Sequence, residues 1–175
     1  WSPDGRQIIY ITGRRVQAVD FETGEITTLA EFVAADYLEA FEISPDGSQV
    51  AISLNRELYV VPFDRQVLAA ARSRTQLIAM NGCFTYSELG TTEVRWSNDG
   101  QRLAVGVLGV GPNNLRAEMV RVFDISTCNS ATPRVLDTFP GPRFDMSGYN
   151  TAPLIPSFDW DGETLFVLNS VIRNK

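Results

Sequence analysis

The sequence predicts an all-β protein made of repeated four-stranded antiparallel units. Three observations carry this. The dipeptide Asp-Gly recurs four times in like surroundings, as "WSPDG" (1–5), "ISPDG" (43–47), "WSNDG" (96–100) and "FDWDG" (158–162). A large apolar residue stands three places before each Asp (Trp1, Ile43, Trp96, Phe158), and an aliphatic one three places after each Gly (Ile8, Val50, Leu103, Leu165). The segments around these turns are short, rich in β-branched and aromatic residues, and bounded by turn signals.

Each Asp-Gly is a tight-turn signal. Proline presets φ for the second turn position, Asp bonds its own backbone, and Gly takes the left-handed conformation. The first strand of each unit follows it: "RQIIYIT", "SQVAISL", "QRLAVGV" and "ETLFVLN". Their nearly continuous apolar runs suit strands buried on both faces. Second strands read "RVQAVDF", "ELYVVPF" and "EMVRVFD", and third strands "GEITTLA", "RTQLIAM" and "TPRVLDT". The strand leading into the next turn reads "LEAFEIS", "TEVRWS" and, less clearly, "PLIPSF".

Successive Asp-Gly pairs lie 42, 53 and 62 residues apart. The shortest spacing matches the roughly 40–50 residues of a four-stranded propeller blade. The excess falls in loops. Unit two carries "DRQVLAAARS" (64–73), where Asp64 can cap a short helix. Unit three carries "GVLGVGPNNLR" (106–116) and "GPRFDMSGYNTAP" (141–153), dense in Gly, Pro and Asn. Residues 29–40, "LAEFVAADYLEA", have helical periodicity, yet the repeat places strand ends at both flanks. A short helical turn and an extended connector both fit there. The expected architecture is a single partial β-propeller over 1–175, with units at 1–42, 43–95, 96–157 and 158–175.

"WSPDG" followed by "xxIxYxT" resembles the TolB-type, WD-repeat-like β-propeller repeat, found in periplasmic TolB and in the propellers of prolyl-oligopeptidase-type and tricorn-type peptidases. The Asp-Gly pair matches four times and the Pro twice, Asn98 and Trp160 standing in its place elsewhere. Counting from the first turn gives about 13 strands, or about three and a half blades. The first blade then lacks its innermost strand and the last its outer two, so a segment of a larger closed propeller is expected. The resemblance implies a periplasmic or extracellular setting.

Composition bounds the chemistry. At 175 residues, 44% apolar and 21% charged, one domain with a real core is expected. No apolar run reaches the roughly 18 residues that cross a membrane as a helix. A net charge of −6 argues against nucleic acid as a partner. The sequence has no histidine, which removes the commonest general base and metal ligand and leaves no Ser-His-Asp arrangement for serines such as Ser147. "GVLGVGPNN" has the wrong spacing for a phosphate loop and lacks the following Lys-Ser/Thr. No cofactor and no metal are expected.

The recurrent pairs Asp4-Gly5, Asp46-Gly47, Asp99-Gly100 and Asp161-Gly162 read as structural turns and not as ligands or catalytic carboxylates. Trp1 and Trp96 read as packing between blades, because Ile43 and Phe158 fill the same register position. Cys83 and Cys128 allow one disulfide or two thiols. The repeat starts them on opposite faces, separated by about 17 Å of strand, against a Cα separation below about 7 Å for a bridge. Only a bend in the connector 81–92 would join them.

One pattern points to binding. The turns between the first two strands of each unit contain Arg14 and Arg15, Arg56, Arg116 and Arg173. These turns share one face of the disc, though the connectors on that face are acidic (Glu31, Asp36, Glu88). Guanidinium groups in an arc suit carboxylate-bearing partners. The expected function is a non-catalytic scaffold that binds a protein or peptide, TolB-like. The alternatives are the propeller of a prolyl-oligopeptidase-type serine peptidase whose catalytic domain lies outside this chain, and a small-ligand or sugar-binding propeller. The last would need polar and aromatic groups converging on the central channel.

Overall fold

The computed structural model describes residues 1–34, 36–80, 82, 84–86, 90–110, 116–126, 134–140 and 157–168. The strands β1 (Gln7–Thr12), β2 (Arg15–Asp20) and β3 (Ile26–Glu31) form one sheet in that order. A second sheet is β4 (Leu38–Ile43), β5 (Gln49–Leu54), β6 (Glu57–Pro62) and β7 (Phe84–Tyr86). A third is β8 (Gly90–Trp96), β9 (Arg102–Val110), β10 (Arg116–Asp124) and β11 (Arg134–Pro140). The strands β12 (Ser157–Asp161) and β13 (Thr164–Leu168) pair as a ribbon. Every pairing is antiparallel. Each of the last three sheets opens with the strand that runs into an Asp-Gly turn, so the sheets are offset by one strand from the repeat units.

Three apolar layers hold the sheets face to face. Between the first and second lie Val16, Ala18, Val50, Ile52 and Leu54. Ala51, Leu58, Trp96, Leu103 and Val105 lie between the second and third. Ala104, Val122 and Phe158 lie between the third and the ribbon. Strand alternation explains the partition. On β5, Val50, Ile52 and Leu54 point back to the preceding sheet, and Ala51 points forward. On β9, Leu103 and Val105 point back and Ala104 forward. Large residues thus meet small ones across each layer, which lets whole sheets pack closely. This two-sided burial is why the runs read as continuously apolar.

Residues 74–80, expected to be the third strand of unit two, form a helix instead. The helices α1 (Arg65–Ala70) and α2 (Arg74–Ala79) lie between β6 and β7, and β7 takes the outer place beside β6. Asp64 caps α1, its Oδ1 accepting from the N–H groups of Gln66 (2.8 Å) and Val67 (3.1 Å). At α2, Ser73 is the N-cap and the Gln76 side chain reaches back to the Arg72 N–H at 2.6 Å. "SRTQ" has the capping-box spacing in sequence, although Ser73 makes no side-chain cap bond and Gln76 reaches the residue before it. The pair closes the outer rim by burying Leu68 and Leu77 against the first layer, and Arg72 accepts from the Val33 N–H at 2.9 Å.

Two further expectations change. Residues 107–110, read as loop, extend β9, and Val110 pairs with Arg116 in a long hairpin. The span 29–40 runs as strand to Glu31 and re-enters strand at Leu38, with no helix among its described residues. Among the described residues, no helix is long and apolar enough to cross a membrane.

Candidate functional site

The Asp-Gly turns are built from one repeated set of bonds. Ser2, Ser44 and Ser97 donate their hydroxyls to Asp4, Asp46 and Asp99 at 2.6, 2.6 and 2.5 Å. Each serine oxygen accepts in turn from the N–H of Gln7, Gln49 or Arg102 at 2.9 Å. The same carboxylates accept the N–H groups of Arg6, Ser48 and Gln101. The serine hydroxyl, then the backbone N–H, hold all three carboxyls below the usual range. Neighbouring turns nest: a β-carbon placed on Gly47 would lie 3.9 Å from Pro3, and one on Gly100 3.8 Å from Pro45.

The fourth turn differs. Asp161 pairs with Thr164, so the loop is only Gly162 and Glu163, with Gly162 at φ +60°. A glycine with positive φ at the first central position is the type II′ placement. This hairpin is two residues shorter than the others, which moves the register. Trp160 pairs with Leu165 as Trp96 pairs with Leu103. Trp160, and not Phe158, is thus the structural equivalent of Trp96. The indoles confirm the correspondence: Trp96 Nε1 donates to the Glu42 carbonyl at 3.1 Å, and Trp160 Nε1 to the Arg95 carbonyl at 3.0 Å. Trp96 is 5% exposed between sheets, as expected for packing, whereas Trp1 is 71% exposed and rests against Phe21.

With the register corrected, β4, β8 and β12 bring Glu42, Arg95 and Asp159 to one position along the inner strands. The spacing of the Asp-Gly pairs does not encode this, because the shortened last turn displaces Asp159 by two. The group borders a cavity of about 400 Å3 lined also by Trp1, Ile9, Phe41 and Ile43. Glu42 Oε2 accepts the Trp96 backbone N–H at 2.9 Å. Burial pushes the Glu42 carboxyl up to about 7, against the pull of Arg95 and the Trp96 N–H, and Asp159 adds to the rise. Arg95 pairs with Glu93 at 2.7 Å and also donates to the Val94 carbonyl. A second cavity of about 360 Å3 continues along Ile11, Glu39, Phe41, Glu93 and Arg95.

The turn arginines differ among themselves. Arg14 occupies the β1–β2 turn, after Gly13 at φ +61°, and is exposed. Arg15 is the first residue of β2 and pairs with Glu31 at 3.0 Å. Arg56 sits in the equivalent β5–β6 turn at φ +65°, following Asn55 at φ +55°. That turn is clamped from the side: Asn55 donates to Asp36 and to the Tyr37 carbonyl, and the Arg56 N–H donates to Glu39 Oε1 at 3.0 Å. Burial raises the Glu39 carboxyl, opposed by the Arg56 N–H and the Ser53 hydroxyl. Arg116 opens β10 and so lies in a strand, not in the turn. Arg173, Ser147, Glu88 and both cysteines of the Cys83–Cys128 question lie outside the described residues. Among the described residues, no three His, Cys, Asp or Glu side chains are grouped to hold a metal.

No protein-family model matches the sequence, and no curated protein matches it. Solved structures do. A chain of a mitotic checkpoint complex is similar at TM-score 0.52 and 16% identity, over 91% of this chain and 39% of that one. A putative TolB from Agrobacterium tumefaciens is similar at TM-score 0.52 and 17% identity, over 80% and 48%. The fold is a partial β-propeller. A putative 6-phosphogluconolactonase from Bacteroides uniformis shares it at TM-score 0.51 and 14% identity, over 97% of this chain and 54% of that one. The chain thus spans from 39% to 54% of the length of these propellers. Its sheets are propeller blades, and β4, β8 and β12 are their inner strands.

Proposed function

We propose that this propeller segment belongs to a non-catalytic scaffold that binds a protein or peptide through the face bearing the β1–β2 and β5–β6 turns. The observation that carries this is Arg56. Both central residues of its turn have positive φ, the type I′ pattern in which Asn followed by Gly is preferred. An arginine there holds backbone strain, on the order of 1 kcal/mol, that a glycine would not. The strain persists because Asp36, Tyr37 and Glu39 over-determine the turn. A guanidinium fixed on so rigid a base, with Arg14 exposed in the equivalent turn of the neighbouring blade, suits bidentate bonding to carboxylates of a partner.

The channel groups favour this reading over a small-ligand propeller. Glu42 accepts from Trp96, Arg95 pairs with Glu93, and Asp159 accepts the Trp160 N–H at 2.9 Å. Glu42 is thus engaged between two blades, and Arg95 and Asp159 are each engaged within their own strand. The test is titration of the chain with a glutamate-rich peptide. The double variant Arg14→Glu, Arg56→Glu should bind it more than about tenfold more weakly, with its melting curve unchanged. Equal binding by the variant and its parent sinks the proposal.

A further inference from the structure

The helical insertion brings a further arginine up to the β1–β2 turn. The segment Phe32–Val33 leaves β3 and is held from both sides. The Phe32 N–H donates to the Arg14 carbonyl at 3.0 Å, and the Val33 N–H to the Arg72 carbonyl at 2.9 Å. Arg14 belongs to the β1–β2 turn and Arg72 to the junction of α1 and α2. Neighbouring extended backbones stand about 4.8 Å apart, so those of Arg14 and Arg72 lie about 10 Å from each other across the segment. Between them Phe32 is buried, while Val33 is 44% exposed.

Positive charge is in excess at this place. Arg15 pairs with Glu31 at 3.0 Å. Its hydrogen bond, then its charge and those of Arg72 and Arg14, hold the Glu31 carboxyl below its usual range, with desolvation opposing. Three guanidinium groups therefore act on one carboxylate. Arg14 and Arg72 are exposed, and among the described residues neither has a salt-bridge partner. Asp36 is also near, its N–H donating to the Val33 carbonyl at 3.0 Å, but its carboxylate is taken by Asn55 Nδ2 at 2.7 Å. Two open cations thus flank one exposed aliphatic residue.

We infer that Arg14, Val33 and Arg72 form one docking strip for an extended segment of a partner protein with the pattern acidic-x-apolar-x-acidic. Alternate residues of an extended chain face one side, and carboxylates four places apart are separated by about 13 Å. Flexible arginine stems cover the difference from the backbone spacing. Each carboxylate then meets a guanidinium in bidentate fashion, and the apolar residue between them covers Val33. This rests on the reading of the same face as a surface for acidic partners. It adds the pattern of the partner and a residue, Arg72, supplied by the insertion.

The probes are two blocked peptides of one composition, SESLSES and SSELESS, titrated against the full chain. In extended form the first carries both glutamates and the leucine on one side, and the second carries the leucine opposite the glutamates. The first should bind more than about tenfold more tightly. Arg72→Glu should weaken its binding more than about tenfold with an unchanged melting curve, because the bonds Arg72 makes within the fold are those of its backbone. Val33→Ser should narrow the preference between the peptides. Arg65→Glu makes the same change of charge at the other end of β1 from Arg14, where Arg65 donates to Gln7 at 2.8 Å, and should bind as the parent does. Equal binding of the two peptides, a preference untouched by Val33→Ser, or an Arg72→Glu variant that matches either the parent or Arg65→Glu overturns the inference. Any of these leaves standing a general affinity of the arginine turns for glutamate-rich peptides. Failure to bind any glutamate-bearing peptide removes both.

Discussion

Glu42 and Trp96 join two blades at two points. The Glu42 carboxylate accepts the Trp96 backbone N–H at 2.9 Å, and the Trp96 indole N–H donates to the Glu42 carbonyl at 3.1 Å. The indole ring meanwhile fills the layer between Ala51, Leu103 and Val105. One residue therefore supplies both bulk and a directional bond, and the two contributions can be separated by substitution.

Trp96→Phe keeps most of the bulk and removes the indole donor, so denaturant unfolding should show a loss of about 1 kcal/mol. Trp96→Ala also opens a cavity between blades and should cost about 3–5 kcal/mol. Equal losses for the two variants would assign the whole effect to the hydrogen bond.

Stability should peak at mildly acidic pH. Glu42 titrates near 7 in the fold against an ordinary 4.5, so between those values the folded chain holds a proton that the unfolded chain has released. Stability then falls as pH rises from about 4.5 to about 7. Asp4, Asp46 and Asp99 act oppositely. Their carboxyls lie below the ordinary 3.8, and the stability they confer is lost as pH drops beneath that value. Melting temperatures of Glu42→Gln across pH 4–8 should show a shallower downward slope than the parent chain, the remainder coming from Glu39, whose carboxyl burial also raises.

At the second turn, Gly47 has φ +71°, where a β-carbon is penalised. Gly47→Val should cost about 1–2 kcal/mol. Asp46→Asn should cost less than about 1 kcal/mol, because an amide oxygen can still accept from Ser44 and Ser48 and its NH2 can donate to the Ser48 hydroxyl. A loss of binding activity in Asp46→Asn without a loss of stability would make the aspartate a functional group and not a turn residue.

Arg56→Gly separates stability from binding. Relief of the positive φ should raise unfolding free energy by about 0.5–1 kcal/mol, while affinity for the glutamate-rich peptide falls. A stabilised variant that binds as the parent does would remove Arg56 from the proposed interface.

The helical insertion gives a packing test. Leu68 and Leu77 are fully buried, while Ile78 on the same insertion is exposed. Leu77→Ala should cost about 2–4 kcal/mol by chemical denaturation, and Ile78→Ala should stay within about 0.5 kcal/mol.

What the sequence determined alone was local and repetitive. The Ser-Asp-Gly turns, the strands after them and the Asp64 cap depend on residues within a few places of one another, so their chemistry is legible in order along the chain. Four recurrences of one pattern then made the blade architecture readable without any long-range contact. The same regularity misled at 74–80, where "SRTQ" signalled a helix locally and the repeat demanded a strand.

Only the tertiary structure decided what stands next to what. That Trp160 replaces Phe158 in register follows from a hairpin shortened by two residues, and cross-strand pairing is needed to see it. That Glu42, Arg95 and Asp159 meet, although 53 and then 64 positions separate them in the chain, follows from the stacking of inner strands. The lone carboxyl of Glu42 reads as surface charge in sequence; its elevated titration comes from burial between blades. Burial, register and edge pairing are properties of distant segments brought together, and no local spacing encodes them.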